Sequence, residues 1–159
     1  MTAQNLIREL QLLPHPEGGY YKETYRSGQK IKVEPGKERN VSTAIYYLLV
    51  DQDFSSFHRI QSDELWFFHQ GEPLEIVSIL EGKLVSVILG NAVEKGEVFQ
   101  TAIPANTWFA ARIKDGNGYS LVSCTVAPGF DFEDFEIADR RDLTNQFPHL
   151  KEVIDAFTK

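Results

Sequence analysis

The stretch "FHRIQSDELWFFHQG" (residues 57–71) decides how the rest of the chain is read. Aromatic and β-branched residues crowd it, and Ser62-Asp63 interrupts it with two turn formers. Side chains alternate between the two faces of a strand. A hairpin over Ser62-Asp63 therefore puts His58 and Ile60 on one face, and Glu64, Trp66, Phe68 and Gln70 on one face of the next strand. Leu65, Phe67 and His69 point the other way. An imidazole and a carboxyl group are predicted to meet near the turn, in an otherwise apolar interior.

The same period of two extends in both directions. It governs "YYKETYRS" (20–27), "STAIYYLLV" (42–50), "LEIVSILEG" (74–82) and "KLVSVILG" (83–90), then "GEVFQTAI" (96–103), "TWFAARI" (107–113) and "YSLVSCTVA" (119–127). Turn residues such as Glu81-Gly82 and Gly90-Asn91 separate the segments. Short strands at this spacing predict an all-β antiparallel sandwich or barrel. Leu6, Ile7, Leu10 and Leu13 recur at helical spacing and stop at Pro14, giving a short N-terminal helix. Leu150, Val153, Ile154 and Phe157 do the same at the other end, predicting a helix packed outside the sheet. The charged "IKVEPGKERN" (31–40) and the acidic run Asp131 to Asp142 read as exposed loops. Gly18-Gly19 reads as a turn that needs positive φ. No linker or repeat divides the chain, so residues 1–159 are expected to form one domain.

Composition narrows the partners. A chain of 159 residues, 42% of them apolar, can bury a core without staples. A formal charge of −7 opposes a nucleic-acid partner. The single Cys124 excludes an internal disulfide, suits a reducing compartment and reads as a buried apolar residue. No segment has the layout of a signal peptide or the apolar length of a membrane span, so a soluble cytoplasmic protein with no membrane partner is expected.

The 57–71 stretch resembles the first motif of the cupin superfamily, two histidines separated by one residue, then an acid and a glycine. His58, Glu64 and Gly71 take the first histidine, the acid and the glycine; Ile60 takes the second histidine. In the second cupin motif Gly96 and Pro104 are present, Asn106 replaces a glycine and Phe109 the histidine. The resemblance implies a double-stranded β-helix, a jelly-roll barrel, with helices at both ends. Isoleucine and phenylalanine offer no lone pair, and a transition metal usually takes three or four protein groups. The expectation is a cavity with no metal and no other cofactor.

"HPEGGYYKETYRS" (15–27) resembles the opening of an uncharacterised cupin family, and the likeness continues through "PANTWFAAR" and "YSLVSCTVAPGFDFEDFEIADRRDL". The chain is also similar, more weakly, to dTDP-4-dehydrorhamnose 3,5-epimerases. Gly19, Tyr21 and Glu23 fall on the glycine, aromatic and acid of their early strand, Gly18 falls on their arginine, and their base lies on the strand that here carries His58. That resemblance implies a pocket for a sugar or nucleotide-linked sugar. Related cupins imply a homodimer, for which the outward Leu65, Phe67 and His69 offer a surface.

The residue types assign provisional roles. Imidazole titrates near neutrality, so His58 is the candidate base and Glu64 the acid that orients it. Proton abstraction beside a carbonyl needs a group to hold the enolate oxygen, for which Arg26, Tyr47, Arg112 and Tyr119 are of the right kind. Tyr21 and Trp66 are candidate stacking walls, with Glu23 beside them. His69 reads as packing, and His15 and His149, next to prolines, receive no role. The preferred function is a metal-independent cupin binding a small polar ligand, with epimerase or isomerase activity. A non-catalytic ligand-binding module and a metallo-cupin oxygenase or isomerase with fewer ligands are the alternatives.

Overall fold

A computed structural model describes residues 1–159. One sheet runs, in spatial order, through β1 (Leu13–Pro14), β2 (Tyr20–Arg26), β5 (Thr43–Val50), β12 (Tyr119–Ala127), β7 (Asp63–Gly71) and β10 (Gln100–Ile103). The other runs through β13 (Glu136–Ile137), β6 (Phe54–Arg59), β11 (Trp108–Ile113), β8 (Leu74–Leu80) and β9 (Lys83–Leu89). Strand pairing within both sheets is antiparallel. The helices are short: α1 (Ala3–Glu9), α2 (Arg140–Gln146) and α3 (Lys151–Ala156). This is the all-β jelly-roll arrangement with terminal helices.

The hairpin expected over Ser62-Asp63 does not form. β6 pairs with β11 and β13, whereas β7 pairs with β12 and β10. The turn therefore carries the chain from one sheet to the other. The Asp63 carboxylate accepts the Ala105 N–H at 2.8 Å, and the Ile60 carbonyl accepts the Asn106 N–H at 2.7 Å, which fixes this corner. Alternation dictates which side chains face inward but not which sheet a strand joins. His58 and Glu64 share an interior because the sheets face each other.

Two segments read as loops contain regular structure. Residues 31–40 lie largely in a hairpin of β3 (Lys30–Glu34) and β4 (Lys37–Asn40), turning at Pro35-Gly36. Its charged side chains need only one wet face, so they do not prevent pairing. The acidic run holds a short turn at Phe132–Asp134, β13 and the start of α2. Its aspartates act as caps: Asp131 accepts the Glu133 N–H and Asp139 the Asp142 N–H. The C-terminal helical pattern is split at Pro148, which opens a separate turn before α3.

Three apolar clusters hold these layers. Between the sheets, Tyr47, Leu49, Trp66, Phe109 and Val122 fill one part of the barrel. Outside the second sheet, Phe57, Val77 and Trp108 are covered by Leu143, Ile154 and Phe157. Outside the first, Leu48 and Leu121 are covered by Leu6 and Leu12. Burying one such large side chain contributes about 1.5–3 kcal/mol. No helix is long and apolar enough to cross a membrane.

Candidate functional site

The remaining part of the barrel is a cavity of about 390 Å³. Thr43 and Ile45 of β5, Glu64 of β7, and Cys124 and Val126 of β12 supply one wall. His58 and Ile60 face them from the second sheet, and Phe130, Phe132 and Phe135 of the segment after β12 cover the space.

His58 is fixed through both ring nitrogens. Nδ1 lies 2.7 Å from the Ser56 carbonyl oxygen, and Nε2 lies 3.0 Å from Oε2 of Glu17. The ring packs on Phe109 with centroids 4.2 Å apart, and both members of the His58–Glu17 pair are buried. Acceptors at both nitrogens suit an imidazolium donating two hydrogen bonds.

Glu17 reaches this place through the turn at residues 15–19. Gly18 and Gly19 have φ of 116° and 72°, and a Cβ on Gly18 would lie 2.1 Å from the Phe54 carbonyl oxygen. Glycine is thus required by both conformation and space. The Tyr47 hydroxyl donates to the Gly18 carbonyl at 2.6 Å, and the Ser56 N–H to the Glu17 carbonyl at 2.9 Å. His15 joins the same turn, with Nδ1 accepting the Glu17 N–H at 3.1 Å. Sequence reasoning found the glycine turn but missed Glu17 and His15. The available signal was an acid held between a proline and two glycines at the entrance to a strand.

Burial and charge set the protonation states. Burial opposes ionisation of Glu17, but the charge and hydrogen bond of His58 outweigh it and hold the carboxyl below its ordinary value. Burial likewise lowers His58, yet the Glu17 carboxylate reverses this and leaves the imidazole above its usual value. The pair is therefore an imidazolium and a carboxylate. Glu64 behaves differently: burial pushes it up to about 7, His58 offsets part of that rise, and the Glu17 charge adds to it. His15 is lowered by burial, against the pull of Glu17, and is neutral at pH 7.

Of the residues nominated from sequence, His58, Glu64, Tyr21, Glu23 and Arg26 come together around this cavity. Four others lie elsewhere. Tyr47 and Trp66 sit in the filled part of the barrel, edge to face with centroids 5.6 Å apart, and the Tyr47 hydroxyl is engaged by the turn. Arg112 pairs with Glu75 at 2.8 Å and lies over the Phe157 ring, on the outer side of the second sheet. Its parity in β11 is opposite to that of inward Phe109. Tyr119 packs with the cluster under α1.

The residues present do not fit the metal that cupins commonly hold. Ile60 and Phe109 stand at two ligand positions, and Nε2 of His58 is engaged by Glu17. No three His, Cys, Asp or Glu side chains are placed to share an ion, whereas a transition-metal site needs about that many.

The sequence profile described as "Cupin superfamily (DUF985)" matches residues 4–138. Among solved structures, a hypothetical protein from Leishmania major is 40% identical and superposes with a TM-score of 0.93 over 99% of each chain. Protein SO0799 from Shewanella oneidensis is 36% identical, with a TM-score of 0.92 over 100% of this chain and 98% of its own. Uncharacterized protein YML079W of Saccharomyces cerevisiae is 35% identical over 148 residues, which is 84% of this chain and 73% of the relative.

Proposed function

Because this chain belongs to the cupin superfamily, in its DUF985 family, we propose that its barrel binds a small polar ligand and serves as a metal-independent acid–base site. The ligand class is a sugar or nucleotide-linked sugar, and the reaction class is isomerisation or epimerisation beside a carbonyl. The observation that carries this reading is the burial of Glu17, His58 and Glu64 around one cavity. Three ionisable groups removed from water cost stability, and such clusters are characteristic of functional sites. The cavity volume also lies in the usual range for small ligands, roughly 300–1,000 Å³.

The geometry redistributes the roles. His58 is held at both nitrogens and its charged form is favoured by Glu17, so it is suited to stabilise charge and to relay a proton toward Glu17. Glu64, titrating near pH 7, is the better-matched acid and base. A Glu64 carboxylate would take the proton from the carbon next to the ligand carbonyl, leaving an enolate. The resulting carboxylic acid would return it to the neighbouring carbon in isomerisation, whereas epimerisation would take its proton from a donor on the opposite face.

A non-catalytic binding module is the second reading, favoured by the closed hydrogen bonding of His58. One experiment separates the two. The protein is incubated in D₂O with free sugars and dTDP-linked sugars while its melting temperature is followed. Turnover predicts deuterium at the carbon beside the carbonyl, and its loss in Glu64→Gln. A raised melting temperature with unchanged, undeuterated sugars supports the binding module. No rise with any compound refutes both readings. Unchanged affinity and turnover in His58→Ala would remove His58 from the mechanism. A homodimer through the exposed Leu65 side of β7 belongs to the same proposal; a monomeric mass by sedimentation at micromolar protein would refute it.

A further inference from the structure

Glu23 and Arg26 are more exposed than the buried trio and mark the mouth of the cavity. Arg26 is the one arginine or lysine among the lining residues, so it is the natural anchor for an anionic ligand. The protein has already engaged it. Its Nε donates to Glu23 at 3.1 Å and one terminal nitrogen to Glu23 at 2.6 Å. That nitrogen also donates to the Phe130 carbonyl at 3.0 Å, and the other terminal nitrogen to Asn40 Oδ1 at 2.9 Å. A guanidinium offers five N–H directions in a fixed fork, and these contacts leave one. The second cation of the cavity, His58, is likewise spent on Glu17.

What remains is acidic or neutral. Glu64 and Asp131 share the lining with Glu17 and Glu23. A phosphate entering this space would meet carboxyl groups with no unpaired cation to offset them. An uncharged ligand meets a better match. His15 Nδ1 accepts the Glu17 N–H, so in the neutral ring the proton sits on Nε2, on a residue lining the cavity. That uncharged donor suits a carbonyl or hydroxyl oxygen, while the carboxyl groups suit hydroxyl donors.

We propose that Glu23 is a specificity residue: by occupying Arg26 it makes the cavity select an uncharged hydroxycarbonyl or polyhydroxy compound and reject phosphorylated or nucleotide-linked forms. The inference rests on the ligand-binding reading above and narrows its ligand class. Removing the Glu23 charge weakens its hold on the Arg26 fork and lets a phosphate compete for it.

The test titrates the full chain calorimetrically with matched pairs: D-glucose and α-D-glucose 1-phosphate, D-xylose and α-D-xylose 1-phosphate, L-rhamnose and dTDP-L-rhamnose. The wild-type protein is expected to bind the unphosphorylated member of at least one pair, tenfold or more tightly than its partner. Glu23→Gln is expected to shift that ratio tenfold or more toward the phosphorylated member. A wild-type preference for the phosphorylated member of any pair, or a ratio unmoved in Glu23→Gln, overturns the inference and leaves the ligand-binding reading standing. The wild-type preference needs no variant, so a poorly folding Glu23→Gln does not shield the proposal. Failure of every compound to bind overturns the inference and the ligand-binding reading together.

Discussion

The two halves of the barrel interior are built from the same strands and have opposite contents. On β5, Tyr47 and Leu49 fill one half while Thr43 and Ile45 line the other. On β7, Trp66 and Glu64 point inward two residues apart, the first into the packed half and the second into the cavity. The β5–β12 ladder runs through both halves without a register shift, so a break in that pairing does not create the difference. Side-chain volume does. Tyr47, Trp66 and Phe109 consume the space between the sheets, and where smaller residues replace them the three phenylalanines after β12 cover the gap without filling it. Water is largely excluded from ionisable groups, which must pair, as His58 and Glu17 do, or shift toward the neutral form, as Glu64 does.

The strongest way to break the contrast is to remove a charge partner. Glu17→Ala leaves His58 buried without its carboxylate and is expected to cost about 3–5 kcal/mol in urea unfolding. The His58 imidazole, followed by NMR, should then titrate below rather than above its ordinary value, because burial, the largest effect, is opposed only by Glu64 and the Ser56 carbonyl. A wild-type titration in this variant would mean that the pair does not set the state of His58.

Next in size is a matched truncation on one strand. Leu49→Ala, in the packed half, should cost about 4 kcal/mol, and Ile45→Ala, at the cavity wall, about 2. Equal losses would mean that the two halves are packed alike.

The Glu64 carboxyl offers a pH test whose sign is fixed. Its folded value, about 7, lies above its ordinary value of 4.5, so the folded state binds the proton more tightly. Its contribution is present at low pH and declines as pH rises from about 4.5 to 7, by on the order of 2–3 kcal/mol. His58, also raised, adds a decline at higher pH; Glu17, lowered, loses its contribution only on acidification. Glu64→Gln should flatten unfolding free energy between pH 5 and 7 and leave the acid limb in place. A slope identical to wild type would remove Glu64 as its source.

The smallest expected effect concerns the cover. Asp134 receives Arg39 at 2.8 Å and Lys37 at 2.8 Å, tying the phenylalanine segment to the β3–β4 hairpin. Asp134→Asn should leave the melting temperature nearly unchanged but speed hydrogen exchange at the Asp134 and Phe135 amides. Unchanged exchange would show that the aromatic contacts of Phe135 hold the cover without the ion pairs.

Much of this interior is legible in the sequence. The period of two correctly turned His58, Glu64 and Cys124 inward and His69 outward, and the same rule applied to β11 would have turned Arg112 away. Other errors had a different origin. Tyr47 and Trp66 have the right parity to face inward, yet parity does not say at which end of the barrel a side chain lies. Glu17 and His15 belong to a turn, where no periodic rule operates; Glu17 is placed by bonds to Ser56 and His58, some forty positions away, and His15 by bonds within the turn.

The sequence by itself determined the all-β layering, the inward set of each strand, the glycine turn and the loss of two cupin ligand positions. All of these follow from local stereochemistry and residue type. Only the tertiary structure decided that β6 and β7 belong to different sheets, that Glu17 rather than Glu64 holds His58, and that Arg26 is already occupied at the cavity mouth. Those outcomes depend on distances between residues remote in the chain, and pairing energies between charges are set by separation and burial, neither of which a linear pattern encodes.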